Sequence, residues 1–269
     1  MVPKSEQQVY VARIEHALTA AANVAKTFVA GTFHVQDNGG RHVITEVDRR
    51  ISDVLRGSLP KPEEGWLSEE DVDDKSRLGR NIVWVVDPLD GTREFVDGLP
   101  EWCISVGLVV EGKAIAGGIC NPATGEVFLG AMDCGVTYNG KPAQTTARRD
   151  LNGALVLASR QECKRGEWKL FESGPFTVRP MGSVAYKLAL VSAGLADATW
   201  TLSPKHEWDV AAGVALVKAA GGEIGTIKNA KLEFNQPAPL LPGLIASGKS
   251  LWEEIGHQLA ATDSTILEK

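Results

Sequence analysis

The stretch of sequence that decides the fold is Trp84-Val85-Val86-Asp87-Pro88-Leu89-Asp90-Gly91-Thr92. It closes a nearly continuous apolar run that begins at residue 81, and such a run predicts a buried strand. Pro88 cannot donate a hydrogen bond to a sheet, so we expect the strand to end there. Asp87 and Asp90 would then lie at the carboxyl end of a buried strand, on a sharp turn.

Two acidic side chains on such a turn suit a site for Mg²⁺ and phosphate. Mg²⁺ prefers hard oxygen ligands, is held by few protein groups and keeps waters that a substrate can replace. Gly91 permits a tight backbone path, and free amides at the start of a following helix would favour an anion such as phosphate. The alternative is a capping turn, in which the Asp side chains only accept hydrogen bonds from nearby amides.

The sequence on both sides of this stretch predicts a layered α/β protein. Upstream, apolar spacing predicts helices over residues 6–30, closed by Gly31, and 43–55. Downstream, residues 103–110, 113–120 and 126–131 predict an antiparallel meander of strands. Further on, predicted strands (154–158, 197–202, 240–246) alternate with predicted helices (182–193, 208–220, 251–260). We expect an α+β N-terminal half, residues 1–147, and an α/β C-terminal half, residues 148–269, with the active site between them.

Bulk composition excludes several classes of protein. The chain has 269 residues, of which 43% are hydrophobic, so it can bury a sizeable core. Its net charge of −6 disfavours a nucleic-acid or anionic-membrane binder. No apolar run approaches the roughly 18 residues of a membrane span, and the polar N-terminus contains no signal core. Four cysteines without a C-x-x-C pair fit a reduced, cytoplasmic setting.

Three further segments add acidic residues, and each alone has an ordinary explanation. Leu67-Ser68-Glu69-Glu70-Asp71 could be a solvated charge run, and Thr45-Glu46-Val47-Asp48 a solvated helix start. Glu207-Trp208-Asp209-Val210-Ala211-Ala212-Gly213 places an acid where helix caps are common.

Together these segments resemble the Mg²⁺-dependent, lithium-sensitive phosphatase superfamily. Its members include inositol monophosphatases, fructose-1,6-bisphosphatases and 3′(2′),5′-bisphosphate nucleotidases. The D-P-L-D-G-T and W-D-V-A-A-G motifs are specific to it in this order and at this separation. The resemblance implies an αβαβα sandwich, a phosphomonoesterase that uses two or three Mg²⁺ ions, inhibition by Li⁺, and a small phosphate ester as substrate. Family members are often dimers, although no residue pattern here marks a dimer surface.

The resemblance also implies roles at matching positions. The implied metal ligands are Glu70, Asp87, Asp90, Asp209 and the backbone carbonyl of Leu89. The implied substrate contacts are Asp90, Gly91, Thr92, Gly182, Ser183 and Asp209. Thr92 and Glu70 would orient the attacking water, Asp48 would partner Thr92, and Glu69 would stand beside the ligands. So many carboxylates cannot all stay ionised in one pocket without a cation, and Mg²⁺ would lower the pKa of the water and stabilise the leaving oxygen.

Three details favour a bisphosphate nucleotidase of the bacterial CysQ type. L-S-E-E-D and D-G-T-R-E-F resemble the patterns of those enzymes, although Arg93 and Glu94 could also be a surface ion pair. Inositol phosphatases place a Glu seven residues before the W-D aspartate, and here that position is Leu202. An apolar side chain cannot accept hydrogen bonds from inositol and suits a base or ribose face. The predicted reaction is hydrolysis of 3′-phosphoadenosine 5′-phosphate to AMP and phosphate.

Two other interpretations stay open. One is an inositol-1-phosphatase or a broad sugar-phosphate phosphatase. The other is a non-catalytic regulator that binds RNA or polymerase, against which the complete ligand set and the negative charge argue. The loop over residues 36–45 lacks the usual Lys, for which Arg41 is a possible substitute. Lys187, in a G-S-x-A-x-K-L helix start, lies by the substrate or in solvent, and Asp97 and Glu101 are expected on the surface.

Overall fold

The structure is a computed structural model that describes residues 2–30, 46–227 and 231–261. The predictions on Gly31, on Arg41 and on Thr45 lie outside the described residues, as does the rest of the loop over residues 36–45. No helix within the described ranges is both long enough and apolar enough to cross a membrane.

The described helices are α1 (Lys4–Ala25), α2 (Glu46–Ser58), α3 (Thr92–Val96), α4 (Arg160–Lys164), α5 (Val184–Ser192), α6 (Glu207–Ala219) and α7 (Trp252–Ala261). The described strands are β1 (Gly65–Ser68), β2 (Ile82–Asp90), β3 (Cys103–Val110), β4 (Lys113–Asn121), β5 (Glu126–Ala131), β6 (Gly135–Tyr138), β7 (Lys141–Ala143), β8 (Leu155–Ser159), β9 (Thr177–Met181), β10 (Ala198–Trp200), β11 (Lys205–His206), β12 (Gly222–Thr226), β13 (Leu240–Leu241) and β14 (Leu244–Gly248).

Two large sheets organise these strands. The first has the order β1-β2-β3-β4-β5-β6-β7, in which only β1 and β2 pair in parallel and the predicted meander forms the centre. The second has the order β12-β14-β10-β8-β9, with β10, β8 and β9 parallel and β14 antiparallel to both of its neighbours. A short ribbon pairs β11 with β13. The predicted boundary between residues 147 and 148 falls between the two sheets and stays a prediction.

Three apolar clusters fill the boundaries between five layers, and the central cluster fills both boundaries of the middle helix layer. Helices α1 and α2 cover one face of the first sheet, and α5 and α6 fill the space between the two sheets. Helix α7 and the segment around Trp168 and Phe171 cover the far face of the second sheet. This αβαβα arrangement confirms the expected fold class.

Helix α6 approaches the first sheet closely because two glycines leave room for it. A Cβ at Gly107 would lie 2.8 Å from Cβ of Ala211, and one at Gly117 would lie 2.5 Å from the carbonyl oxygen of Ala212. This contact brings the first turn of α6 over the end of β2, and the site forms there.

One prediction about the fold is wrong at Pro88. Strand β2 does not stop there but continues to Asp90, with a shift of register against β3 between Asp87 and Asp90. A bulge accommodates the missing amide, as is usual for proline inside a strand. The two acids still lie at the carboxyl end of β2, on the irregular part.

Candidate active site

The bulged end of β2 fixes two acidic side chains. Asp87 is buried, and its Oδ1 accepts a hydrogen bond of 3.0 Å from the amide of Leu89. Asp90 is half-buried, and its Oδ2 accepts hydrogen bonds of 2.6 Å from Ser183 Oγ and from the amide of Ala185. Asp90 thus connects the first sheet to the start of α5.

Helix α6 supplies the third acid. Asp209 lies in its first turn and accepts a hydrogen bond of 2.9 Å from the amide of His206, which is the helix cap. The rings of His206 and Trp208 stack with centroids 4.3 Å apart. Glu207 is turned the other way, because its carboxylate accepts the amides of Asn235 and Gln236 at 2.7 and 2.9 Å.

The two adjacent glutamates after β1 meet different neighbours. Among the charges that raise the pKa of Glu69 are those of Asp209 and Asp90, and Glu69 is in turn the strongest charged influence on Asp87. The charges that act on Glu70 are those of Asp48, Arg49 and Asp71. Glu69, which the sequence placed beside the ligands, therefore faces the cluster of Asp87, Asp90 and Asp209 more directly than Glu70 does.

Thr92 and its predicted partner Asp48 lie near each other, and Asp48 is the strongest charged influence on Glu70. Thr92 Oγ is 3.5 Å from Asp48 Oδ1 and 3.1 Å from the carbonyl oxygen of Leu89. Gly91 precedes α3 with a φ of 99°, in the left-handed region, and a Cβ there would lie 2.8 Å from the carbonyl oxygen of Glu101. Glycine is therefore required at this position.

Burial and neighbouring carboxylates raise the pKa values of the acids in the site. Burial is the first cause in each case, and neighbouring carboxylates are the second for Glu69, Asp87 and Asp209. The pKa rises to about 8 for Glu69 and to about 7 for Asp209 and Glu70. The pKa of Asp87 lies well above its usual value and that of Asp90 is also raised. Such a cluster favours protons or a cation.

The acidic side chains fit a Mg²⁺ site that is completed by water and substrate better than a site in which protein ligands alone surround the ion. Within residues 2–30, 46–227 and 231–261, no three His, Cys, Asp or Glu side chains are close enough to hold an ion by themselves. Mg²⁺ commonly takes one or two carboxylates and completes its shell with water and substrate phosphate, so it does not require three such side chains. Glu70 Oε2 is buried without a hydrogen bond from the described residues, which leaves a lone pair for a metal ion or a water.

A second turn faces Asp90 from the C-terminal half. Ser183 has a φ of 49°, which is rare for a residue with a side chain. Lys187 is buried below it, and its Nζ donates to the carbonyl oxygens of Met181, Gly182 and Ser183 at 3.4, 3.1 and 2.8 Å. The alternative of a solvated Lys187 is wrong, because this lysine holds the turn in place.

Glu101 and Glu94 border the same turn, contrary to two expectations. Glu101 Oε2 accepts the amide of Gly182 at 2.9 Å and forms an ion pair with Arg160. Glu94 is buried against Gly182, and its Oε1 lies 3.7 Å from Arg160 Nε. Glu101 is therefore not a simple surface acid, and Glu94 pairs with Arg160 instead of Arg93. Asp97 is exposed, as expected.

Leu202 borders a groove of about 330 Å³. The residues that line it are Arg165, Gly166, Glu167, Leu170, Leu202, Ser203 and Pro204. Its wall is held by the buried Glu162, whose Oε1 accepts Thr201 Oγ at 2.6 Å and the amides of Leu202 and Ser203 at 3.1 Å.

Sequence reasoning missed Glu101 and Arg160 as residues of the site, and the proximity of Glu69 to the acidic cluster. Glu101 and Arg160 belong to no motif, and only the fold brings them together across 59 residues. Glu69 carried a signal, because it lies in the L-S-E-E-D motif, but the motif does not say which glutamate turns inward.

The fold and the acidic site define a class, the Mg²⁺-dependent phosphatases of layered αβαβα architecture. Residues 5–264 match the family model described as "Inositol monophosphatase family". The chain belongs to this family and is a phosphatase, that is, a phosphoric monoester hydrolase. The predicted superfamily is thereby confirmed, and the family is Mg²⁺-dependent.

Two curated relatives and one solved structure illustrate the similarity. The chain is 33% identical to "Inositol monophosphatase 3" of Solanum lycopersicum over 81% of this chain and 85% of that protein. It is 31% identical to an inositol-1-monophosphatase of Rhizobium meliloti over 78% of this chain and 82% of that protein. The inositol monophosphatase structure from Anabaena superposes with a TM-score of 0.77 at 25% identity, covering 95% of this chain and 97% of that one.

Proposed function

We propose that this phosphatase is a 3′(2′),5′-bisphosphate nucleotidase that hydrolyses 3′-phosphoadenosine 5′-phosphate to AMP and phosphate. The observation that carries the proposal is the apolar character of the Leu202 position. Inositol has to be recognised through its hydroxyl groups, whereas an adenosine offers a flat face that needs no fixed hydrogen-bond acceptor. Leu202, Leu170 and Pro204 line one groove, and they can contact such a face.

Neighbouring polar groups do not replace the missing acceptor. Ser203 Oγ accepts a hydrogen bond of 3.1 Å from Arg165 Nη2. Glu207 is fully buried and engaged with the amides of Asn235 and Gln236. Glu167, which also lines the groove, forms an ion pair of 2.7 Å with Arg165, so the acceptors beside Leu202 are already engaged.

The proposal assigns roles to the residues of the site. Glu69, Asp87, Asp90, Asp209 and the carbonyl of Leu89 would hold two or three Mg²⁺ ions, with Glu70 also available as a ligand. Bound Mg²⁺ supplies a positive charge that lowers the pKa of a water and stabilises the leaving oxygen. The amides of Gly91 and Thr92, with Gly182 and Ser183, would position the phosphate and the leaving group. Thr92, held near Asp48, and Glu70 would orient the attacking water.

A second candidate is hydrolysis of inositol-1-phosphate. It is supported by the relatives that carry inositol-1-monophosphatase names and by Glu101, whose carboxylate beside Gly182 could accept a hydroxyl from another direction.

Phosphate release from both substrates at fixed Mg²⁺ decides between them. We expect a higher kcat/KM for 3′-phosphoadenosine 5′-phosphate than for inositol-1-phosphate. Leu202→Glu should narrow the gap, since a carboxylate repels the second phosphate and offers an acceptor to inositol. Leu202→Met, which keeps the site apolar, is the matched control and should preserve the preference. If the unmodified protein prefers inositol-1-phosphate, the nucleotidase assignment fails and the second candidate replaces it.

Lithium inhibition belongs to the same proposal. Li⁺ would replace a weakly held Mg²⁺ near Asp87, Asp90 and Asp209. We expect phosphate release to fall on titration with Li⁺ at fixed Mg²⁺, with KCl as the ionic-strength control. Equal curves for the two salts would place the enzyme outside the lithium-sensitive branch.

A further inference from the structure

Arg160 lies where two parallel strands end. Ser159 of β8 is in register with Met181 of β9, so Arg160 and Gly182 follow the carboxyl ends of neighbouring strands. In open α/β sheets, ligands bind outside the carboxyl ends of parallel strands. Arg160 thus lies beside the turn that contacts Asp90.

The guanidinium of Arg160 is held by two acids but is not saturated by them. Its Nη2 donates to Glu101, and its Nε lies 3.7 Å from Glu94 Oε1, beyond hydrogen-bond distance. This is the one hydrogen bond that Arg160 donates to the described residues, and a guanidinium carries five N–H donors. Nε is buried, but about a quarter of the side chain (26%) is exposed, so a ligand can approach the rest of it.

A short chain of contacts links Arg160 to the reacting end of the site. Glu101 binds both Arg160 and the amide of Gly182, and the next residue, Ser183, donates to Asp90. A phosphate ester bound at Asp90 would therefore have Arg160 nearby, across the Gly182 turn on the side of Glu101.

We propose that Arg160 binds the second anionic group of the substrate, the phosphate that is carried by the leaving alcohol and is not transferred. This inference rests on the proposed function, which supplies a substrate with two phosphates. The planar guanidinium matches the geometry of phosphate oxygens, and its hydrogen bonds to an anion are stronger than neutral ones. Glu101 and Glu94 orient the guanidinium of Arg160. A monoester that lacks the second anionic group gains no binding energy from this contact.

Two substrates that differ only in the 5′-phosphate test the proposal: 3′-phosphoadenosine 5′-phosphate and 3′-AMP. Arg160→Met should lower kcat/KM for the bisphosphate by about 10- to 100-fold, mainly through KM, because one charge-assisted contact is lost. It should lower kcat/KM for 3′-AMP by less than about 3-fold. Arg160→Lys keeps the positive charge but lacks the planar guanidinium, so it should retain part of the preference for the bisphosphate over 3′-AMP.

Arg148 provides the matched control. It forms an ion pair of 3.2 Å with Asp197, which binds the amide of Leu155 at the opposite end of β8. Arg148→Met should leave the ratio of the two substrates unchanged. Equal losses on both substrates with Arg160→Met would show that Arg160 is only a structural clamp, and no loss on either would show that it does not contact the substrate. Each result would overturn the proposal.

The same data separate this inference from the proposed function. The preference of the unmodified protein for the bisphosphate nucleotide over inositol-1-phosphate tests the function. The ratio between the bisphosphate and 3′-AMP, and its dependence on Arg160, tests the inference. The unmodified protein could prefer inositol-1-phosphate while Arg160→Met still lowers the ratio of kcat/KM for the bisphosphate to that for 3′-AMP. The inference on Arg160 would then hold and the proposed function would fail.

Discussion

Glu69 and Glu70 are adjacent in the chain, but their carboxylates lie among different charges. The charges of Asp209 and Asp90 act on Glu69, and Glu69 acts on Asp87, whereas Glu70 is influenced by Asp48, Arg49 and Asp71; Asp48 influences both glutamates. Both lie in the turn that follows the end of β1. The acidic motif could be found in the sequence because its residue types are specific. Which glutamate turns inward depends on the register of one strand end, which the sequence does not fix.

This difference predicts unequal effects of two isosteric substitutions. Glu69→Gln should raise the Mg²⁺ concentration for half-maximal activity and cut kcat by more than about 100-fold, because it removes a charge that faces the cluster. Glu70→Gln should cost about 10- to 100-fold, the usual effect of a group that supports a metal site from outside. Initial rates over a Mg²⁺ titration, at equal thermal stability of both variants, give the comparison. A larger loss in Glu70→Gln would restore the ligand assignment that the sequence resemblance implies.

Among the elements, α6 depends most on small residues beneath it. Gly107 on β3 and Gly117 on β4 let the helix descend until Ala211 and Ala212 touch the sheet. The helix motif itself was visible in the sequence, and the predicted helix over residues 208–220 agrees with the observed one within a residue at each end. The need for glycine on β3 and β4 was not visible, because it comes from a contact between segments far apart in the chain.

Gly117→Ala should therefore destabilise the protein and weaken the site. The added Cβ would lie 2.5 Å from the carbonyl oxygen of Ala212, so the helix or the strand must move. Such overpacking typically costs about 1–3 kcal/mol. A shift of α6 also displaces Asp209, so the Mg²⁺ requirement should rise along with the loss of unfolding free energy. Thermal and urea unfolding, with a Mg²⁺ titration of activity, measure both effects.

Gly57 in α2 is the control for this substitution. A Cβ there meets no atom within 4 Å, and alanine is the better helix former. Gly57→Ala should leave activity unchanged and stability unchanged or slightly higher. Equal behaviour of the two alanine variants would show that the approach of α6 does not depend on Gly117.

Short elements at the edges of the sheets show where sequence patterns fail. The central strands β3, β4 and β5 were predicted from long apolar runs between turns, and the structure confirms them. Strands β6, β7 and β9 are short and partly exposed, so their sequences lack a buried pattern. The predicted strand over residues 240–246 is divided into β13 and β14, because Pro242 and Gly243 interrupt it and the two pieces pair with different partners. Pairing partners far away in the chain decide such cases.

At the scale of the whole molecule, the layer order follows from the two sheets and the helices between them. The alternation of strands and helices predicted an α/β protein, and the motif resemblance supplied the five layers, which the apolar clusters confirm. The site lies where the bulged end of β2, the start of α5 and the start of α6 meet. Local sequence identifies the acids on β2 and α6, but only the packed layers bring Glu101 and Arg160 to the same turn.

The folded protein therefore gathers acids whose mutual repulsion opposes folding when metal is absent. The pKa of an ordinary Asp or Glu in the unfolded chain is about 4, whereas it is raised to about 7 for Asp209 and to about 8 for Glu69 in the fold. Between these values the folded protein keeps protons that the unfolded chain has released. The free energy of unfolding then falls as the pH rises. Acids with a lowered pKa, such as Glu64 and Glu162, lose their contribution below this window and do not mask it.

We expect the melting temperature of the chelator-treated protein to fall between pH 5.5 and pH 8. Mg²⁺ binds the ionised carboxylates and stabilises the folded state by mass action, so the Mg²⁺-induced rise in melting temperature should be larger at pH 8 than at pH 5.5. In Asp209→Asn, which removes one titrating group and one ligand, both the pH slope and the Mg²⁺ effect should shrink. Differential scanning fluorimetry with and without Mg²⁺, with Ca²⁺ and KCl as controls, measures these shifts. A Mg²⁺ effect of equal size at both pH values would show that the ion binds away from Glu69 and Asp209, since deprotonation of these raised-pKa carboxylates would make its affinity increase across this range.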